Sequence, residues 1–236
     1  MPEMRCLIVL PTYNEIENLR EIVENILQYA PAADIVIVDD ESEDGTGALA
    51  DELCAERPDK VFIIHRPRKD GLGRAYVAGF KFALTRDYEY ILQMDADFSH
   101  DPSYLPRFFE KIIDHDLVIG SRYLKGISVV NWDLKRLILS RAATGYVRFI
   151  TRLPLTDATS GFKCWRREVL EAIDLDRIFS SGYLFQVEMS YRTYQKKFRI
   201  AEVPIIFVER RLGRSKMDLA IIAEAILGVI RLRMRR

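Results

Sequence analysis

Asp95 and Asp97 stand one residue apart, after a short apolar run (Tyr90 to Met94) and before Asp101-Pro102, which reads as a helix start. Two carboxylates so placed at a strand end can grip one divalent cation. Hard cations such as Mg²⁺ and Mn²⁺ take oxygen ligands and are commonly shared with substrate phosphates. A bare Asp-x-Asp is also what a solvated turn with an N-cap looks like, so the rest of the chain has to decide. A second acidic pair, Asp39-Asp40, closes another strand-like run that starts at Asp34. Carboxylates there can accept from the donors of a base or from ribose hydroxyls. Capping of the polar turn Glu41–Thr46 is the plainer role. The two pairs are expected to close adjacent strands, and side by side their carboxylates repel unless they have separate jobs.

Candidate anion binders lie further on. Arg122, Arg136, Ser140 and Arg141 can form a pocket. Arginine takes phosphate with two parallel hydrogen bonds, and Arg136 and Ser140, four apart, share a helix face. Arg210 and Lys216 flank Gly213 in a basic loop suited to closing over a diphosphate. Gly71-Leu72-Gly73 lacks the full dinucleotide fingerprint and follows the third strand, not the first, which argues against a nicotinamide dehydrogenase. His65, His100 and His115 show no metal-ligand spacing. Cys6, Cys54 and Cys164 are odd in number and fit no metal framework, so buried thiols in a reducing cytoplasm are expected.

The elements that must position these residues alternate. Strands are predicted at Arg5–Leu10, Asp34–Val38, Val61–His65, Tyr90–Met94 and Leu117–Gly120. Helices fall between them, the first N-capped by Asn14 with Glu17 three residues on. Such alternation implies βαβ units and a mostly parallel sheet flanked by helices. After about residue 122 the pattern changes. A loop spans Gly126–Trp132, and a basic helix runs from Asp133 to about Arg152 with Leu134, Leu137, Ile138 and Ala142 on one face. A polar turn, Thr156–Trp165, leads into a short strand. Helices follow near Arg167–Ile173 and Tyr183–Lys196. Phe198–Val208 is a strand that Pro204 places at an edge or bulge. The final helix, about Met217–Arg235, is amphipathic, with a narrow polar stripe of Glu224, Gly228, Arg231 and Arg235.

A chain of 236 residues, with 35 basic and 35 acidic side chains, carries no net charge. The average hides an asymmetry: residues 1–116 hold 24 acids and 12 bases, and the remainder 11 acids and 23 bases. An acidic half suits metal chemistry; a basic half suits phosphate or an anionic surface. Nothing in the pattern calls for nucleic acid. No signal peptide is visible, because the N-terminus runs straight into a strand. No apolar run reaches the roughly 20 residues that span a bilayer. A basic, amphipathic terminal helix fits the surface of an anionic membrane, and docking on the domain's own core or on a second copy is the competing arrangement.

Eight segments in one order carry a resemblance: PTYNE (11–15), VDDESEDGT (38–46), GLGRAYVAGF (71–80), MDADFSHDP (94–102), GSRY (120–123), WDLKRLILSR (132–141), DATSGFKCW (157–165) and VPIIFVERRLGRSK (203–216). Together they resemble the dolichol-phosphate (polyprenyl-phosphate) mannosyltransferases, GT-A-fold members of glycosyltransferase family 2. The likeness covers about residues 5–217. It implies a GT-A-type open sheet forming one domain over 1–216, with a nucleotide-sugar and metal half (1–122), an acceptor half (123–216) and an amphipathic helix (217–236). By position it implies that Pro11, Tyr13, Glu15, Val38 and Asp40 hold the nucleoside of GDP-mannose. Asp95, Ala96 and Asp97 would hold Mg²⁺ or Mn²⁺ and the sugar nucleotide. Ser99 stands where the family often has a longer glutamine ligand. Arg122, Arg136 and Ser140 would grip the phosphate of a polyprenyl or dolichyl phosphate, and Arg210 and Lys216 the donor diphosphate. Arg122 is counted with the donor residues as well. Asp97, Arg122 and Asp157 are the candidates for catalysis, Asp157 as an orienting residue and not an obligatory base. Larger family members add transmembrane helices. This chain resembles the short form, peripheral on the cytoplasmic face of a membrane, whether by its own helix or through an anchoring subunit. UDP-glucose as donor, a soluble acceptor, or a non-catalytic nucleotide-sugar-binding subunit are the alternatives. A Mg²⁺-dependent phosphatase is disfavoured, since no nucleophilic aspartate follows the first strand.

Overall fold

The computed structural model describes residues 5–208 and 219–234. The chain begins with β1 (Cys6–Thr12), α1 (Ile16–Tyr29), β2 (Asp34–Asp39), α2 (Thr46–Glu56), β3 (Val61–His65), α3 (Leu72–Leu84) and β4 (Tyr90–Gln93). It continues with α4 (Leu105–Ile112), β5 (Leu117–Ser121), β6 (Val129–Val130), α5 (Leu134–Thr151), β7 (Lys163–Arg166) and α6 (Arg167–Ala172). Then come α7 (Gly182–Gln195), β8 (Ile200–Pro204), β9 (Phe207–Val208) and α8 (Leu219–Met234). Seven strands form one open sheet in the order β3-β2-β1-β4-β7-β5-β8, and β6 pairs with β9 outside it. All neighbouring pairs in the main sheet are parallel except those made by β7, which runs antiparallel between β4 and β5.

Strand residues alternate between two cores because successive side chains leave opposite faces of a sheet. Leu7, Val9, Val36, Val38 and Ile91 join one core with α3, α6, α7 and α8, while Cys6, Ile8, Leu10, Ile35 and Ile37 join the other with α1, α2 and α4. Burial on both faces is why these strands read as unbroken apolar runs. Gly79 lets α3 lie directly on β1, since a Cβ there would collide with Val9.

Several sequence expectations are corrected. Asn14 does not cap α1. It adopts a left-handed backbone (φ 59°) and its Oδ1 accepts the Glu43 N–H. The first amides of α1 are satisfied from outside instead: Glu15 N–H donates to Thr46 Oγ1 and Ile16 N–H to Asp44 Oδ2. The two acidic pairs do not end adjacent strands, because β1 lies between β2 and β4. The predicted strand at 198–208 is two strands, with Pro204 ending β8 at the sheet's edge, where no ladder donor is needed. The apolar face predicted on α5 is largely outward: Leu134 and Ile138 are exposed, and Thr144, Val147 and Thr151 are the buried positions.

In α8, Gly228 is not part of a solvent-facing stripe. It is buried, with Leu184 of α7 filling the space a side chain would need. Val229 and Leu232 complete the docking face, while Leu227, Ile230 and Met234 point outward. Among the described residues no helix is long and apolar enough to cross a membrane. Arg210 and Lys216 lie outside the described residues, as do Arg235 and the side chain of Glu224.

Candidate active site

The carboxyl ends of β1, β2 and β4 converge at one edge of the sheet, the place where open α/β sheets bind ligands. Pro11 and Val38 are register partners across β1 and β2, and both are buried. Beyond them the carboxylates are individually provided for. Asp39 accepts from Thr12 Oγ1 (2.9 Å) and from Ser42 Oγ (2.6 Å) and N–H (3.1 Å), which makes it the organiser of the turn. Asp40 is ion-paired with Arg66 from the loop after β3. Burial pushes the Asp40 carboxyl above its ordinary value, and Arg66 opposes that rise. Lys69 of the same loop sits 3.3 Å over the Tyr13 ring. Glu15 accepts from Asn18 Nδ2 at 2.8 Å.

The Asp95–His100 segment is held from three sides. Tyr76, wholly buried in α3, donates to Asp95 Oδ1 at 2.6 Å. Burial, and then the neighbouring carboxylate, raise the Tyr76 hydroxyl well above its ordinary value, so it stays a donor. The Asp95 N–H donates to His100 Nδ1 at 2.9 Å. That assigns the proton to Nε2, and burial lowers His100 below its ordinary value, against the pull of Asp95 and Asp97, keeping the ring neutral. The Ser99 N–H donates to Asp97 Oδ1 at 3.1 Å. Phe98 takes a left-handed turn (φ 61°) between them. Among the described residues Asp95 Oδ2 accepts no hydrogen bond, and His100 Nδ1 lies 3.9 Å from it.

Among the described residues no group of three or more His, Cys, Asp or Glu side chains could enclose a metal. The donor set at this loop is therefore oxygen-only and open: Asp95, Asp97 and the Ser99 hydroxyl. It suits a hard cation that completes its shell with phosphate oxygens and water, and not a closed zinc site.

Across from these carboxylates, Arg122 follows β5. Its Nε and Nη2 donate to the two oxygens of Asp157, each at 2.6 Å, and its backbone N–H adds a third bond at 3.1 Å. Nη2 also reaches Thr159 Oγ1 at 2.8 Å. Burial alone would lower the guanidinium, but Asp157 outweighs it and the net shift is upward. The guanidinium carbon lies 5.3–5.4 Å from the ring centroids of Tyr123, Trp132 and Phe207. Arg136 also stacks on Trp132, 4.3 Å from its ring centroid. Asp133 caps α5 by accepting the Arg136 N–H at 2.6 Å, so the same turn that starts the helix aims its first arginine. Ser140 Oγ accepts from Tyr123 Oη at 2.8 Å.

A single cavity of about 550 Å³ joins these parts. Asp95, Asp97, Ser99 and His100 line one end, Arg122, Trp132, Arg136 and Ser140 line its wall, and Ala143, Val147, Leu184 and Val229 carry it on between α5, α7 and α8. The sequence candidates Asp95, Asp97, Ser99, Arg122, Arg136 and Ser140 are thus brought together. Pro11, Tyr13, Glu15, Val38 and Asp40 do not line this cavity; they lie at or just beyond the carboxyl ends of β1 and β2, and Ala96 is buried. Asp157 does not line the cavity; it is wholly buried behind Arg122. Tyr76, His100, Arg66, Lys69, Trp132 and Thr159 join the site, none of them a candidate from residue type and spacing. Tyr76, His100, Trp132 and Thr159 lie inside segments that carry the resemblance; Arg66 and Lys69 lie outside all of them.

Strand order, the antiparallel insertion and an open carboxylate pair at the sheet's edge define a GT-A-type architecture. The chain belongs to glycosyl transferase family 2, which it matches over residues 7–174, and it is a glycosyltransferase. Over 228 residues it is 49% identical to an undecaprenyl-phosphate mannosyltransferase of Micrococcus luteus, covering 97% of this chain and 93% of that protein. Over 229 residues it is 48% identical to a polyprenol monophosphomannose synthase of Mycolicibacterium smegmatis, covering 97% and 86%. Among solved structures, a mannosyltransferase from Pyrobaculum calidifontis in complex with GDP-Man and Mn²⁺ aligns with a TM-score of 0.69 at 18% identity, over 98% of this chain and 64% of that one. Glucosyl-3-phosphoglycerate synthase from Mycobacterium tuberculosis, in complex with Mn²⁺, UDP and glucosyl-3-phosphoglycerate, aligns at 0.68 and 16% identity, over 98% and 80%. At those identities the two structures speak for the fold.

Proposed function

We propose that this enzyme transfers mannose from GDP-mannose to a polyprenyl or dolichyl phosphate, inverting the anomeric carbon, at the cytoplasmic face of a membrane. The observation that carries this reading is the cavity itself: carboxylates for a metal-bound diphosphate at one end, an arginine wall, then an apolar passage. A lipid phosphate has that polarity sequence. The names of the two relatives, each covered over most of its length, support the same acceptor and sugar.

Pro11, Tyr13, Glu15, Val38 and Asp40 would hold the nucleoside. Asp95 and Asp97, with the Ser99 hydroxyl, would hold Mg²⁺ or Mn²⁺, and the cation when bound supplies charge neutralisation on the departing diphosphate. Tyr76 and the Ser99 N–H each engage one carboxylate oxygen, which leaves Asp95 Oδ2 turned to that task. Arg210 and Lys216 would add positive charge at the same diphosphate, an electrostatic contribution that is usually the largest in such reactions.

The acceptor oxygen is already anionic near neutral pH, so it needs placement more than deprotonation. Arg122, held by Asp157, and Arg136, held by Trp132, would place it. An oxygen of the lipid phosphate forms a bond to the anomeric carbon as the bond from that carbon to GDP breaks, and the electron pair leaves with the diphosphate. Asp157 acts as a positioning residue in this scheme. Outward apolar residues on α5 and α8, among them Phe149 at 82% exposure, would seat the enzyme on the membrane beside the passage. A separate anchoring subunit is compatible with the same placement.

The deciding experiment incubates the protein with radiolabelled GDP-mannose or UDP-glucose and a polyprenyl phosphate, then counts the lipid phase. Label from GDP-mannose alone is expected. Label from UDP-glucose alone would move the donor assignment, and none from either would leave a binding subunit. Asp97→Ala should remove metal-dependent transfer with the fold intact; near-normal turnover would sink the metal assignment.

A further inference from the structure

A second cavity, about 650 Å³, lies beyond the catalytic one along α8. The two share walls without sharing residues. In α3, Leu72 lines the catalytic cavity and Arg74 the second; in α8, Val229 lines the first and Arg231 the second. Four arginines, Arg74, Arg177, Arg192 and Arg231, face this space with one acid, Asp176.

The charges are not balanced locally. Asp176 is ion-paired with Lys81. Arg192 is neutralised by the wholly buried Glu188, donating through Nη2 at 2.6 Å and Nε at 2.9 Å, and it reaches the Arg177 carbonyl at 2.9 Å. Arg177 is paired with Asp174 at 3.1 Å. Arg74 and Arg231 have no carboxylate within ion-pairing distance among the described residues. Arg231 lies 5.0 Å over the Phe179 ring, which fixes its direction without spending its donors. Two guanidiniums at one cavity that have no acid partner among the described residues, with a third pinned as its wall, match an anion with several acceptor oxygens.

The surroundings say which kind of anion. Arg231 is followed and preceded on the outward face of α8 by Met234, Ile230 and Leu227, the first of them 74% exposed. A free phosphate has no use for such a stripe; an amphiphile does. We propose that this cavity binds the phosphate headgroup of an anionic phospholipid through Arg74 and Arg231, with the acyl chains along Leu227, Ile230 and Met234. The site sits next to the apolar passage, so it would set the enzyme's orientation on the membrane with the acceptor cavity facing the lipid. It rests on the membrane-surface part of the function proposed above, and not on the donor or the reaction.

The test measures binding to vesicles of phosphatidylcholine alone and of phosphatidylcholine with phosphatidylglycerol. Two double variants of equal charge loss are compared: R74Q/R231Q, and R107Q/K111Q on α4, whose two residues are exposed on the opposite side of the sheet. Anionic lipid should tighten binding of the unaltered protein, and R74Q/R231Q should lose that gain about tenfold, with R107Q/K111Q nearly unchanged. Equal loss in both variants would mean a diffuse surface field and overturn the site. A short-chain, water-soluble phosphatidylglycerol is titrated as well. Saturable one-to-one binding, absent in R74Q/R231Q and not displaced by inorganic phosphate, supports a headgroup site. Displacement by inorganic phosphate at equal concentration would reduce it to a simple phosphate site and overturn the lipid assignment. If no vesicle binds the unaltered protein, the membrane-surface reading itself falls, while the soluble lipid still decides whether the cavity is a site.

Discussion

Arg122 and Asp157 meet end to end, both carboxylate oxygens taken by one guanidinium at 2.6 Å, in a place where Asp157 has no exposed surface. The pair joins the end of β5 to the turn before β7, and it is the reason a cation can stand in the wall of the catalytic cavity.

Asp157→Ala would leave a buried, unpaired guanidinium, a change that typically costs about 3–5 kcal/mol. Thermal unfolding should register that loss. Asp157→Asn keeps the shape and one acceptor, so it should fold and retain measurable transfer, with the acceptor KM rising more than kcat falls. Complete loss of turnover in folded Asp157→Asn, together with loss of a limb in the pH profile, would make Asp157 a general base.

Tyr76→Phe removes the hydroxyl that engages Asp95 Oδ1 while keeping the ring stacked on Phe185, whose centroid is 5.9 Å away. Residues that orient a ligand from behind are commonly worth roughly 10–100-fold in metal affinity. Titration with Mn²⁺, followed by its paramagnetic signal, should show weakening in that range with little change in melting temperature. Unaltered affinity would mean that Asp95 is oriented by its backbone alone.

Arg136 depends on Trp132 for direction. Arg136→Ala and Trp132→Ala should both raise the KM for the lipid acceptor, each by about tenfold, the worth of one charge-assisted contact of roughly 1.4 kcal/mol. The double variant should do little more than either alone, since the two act as one unit. A matching fall in affinity for GDP would put the acceptor pocket elsewhere.

Lys163 is fully buried in β7, donating to the Gln186 carbonyl at 2.7 Å. Burial lowers it from 10.5 to about 7, only partly offset by Asp157. Between those values the unfolded chain holds a proton that the folded protein lacks, so stability should rise with pH from about 7 toward 10.5. One proton gives a slope of at most about 1.4 kcal/mol per pH unit. Lys163→Met should flatten the melting-temperature profile over that range relative to the unaltered protein; an identical slope in both would assign the effect to other groups.

Much of the fold is legible in the sequence because burial on both faces of a parallel sheet leaves unbroken apolar runs, and these mark β1 to β5. The capping of α1 was not legible. Asn14 has the right type and spacing for a cap, yet the acidic turn at 41–46 arrives from across the sheet edge and supplies Asp44 and Thr46 instead. The direction of β7 was hidden for a similar reason: a strand of four residues carries no mark of its orientation. In α8, glycine reads as a gap in an apolar surface, and only the approach of Leu184 reveals it as a contact.

Composition and order of residues are sufficient to point to a mostly parallel α/β architecture, to Asp95 and Asp97 as a candidate pair and to basic candidates further along the chain, since these follow from local periodicity and from side chains whose chemistry is intrinsic. Which groups support them was a matter of three dimensions. Tyr76 behind Asp95, His100 on the Asp95 amide and Asp157 behind Arg122 are contacts between segments far apart or sharply turned. So is the junction of α5, α7 and α8 that extends a metal-type site into an apolar passage. Each depends on where two elements meet, and no spacing along one chain encodes the distance between them.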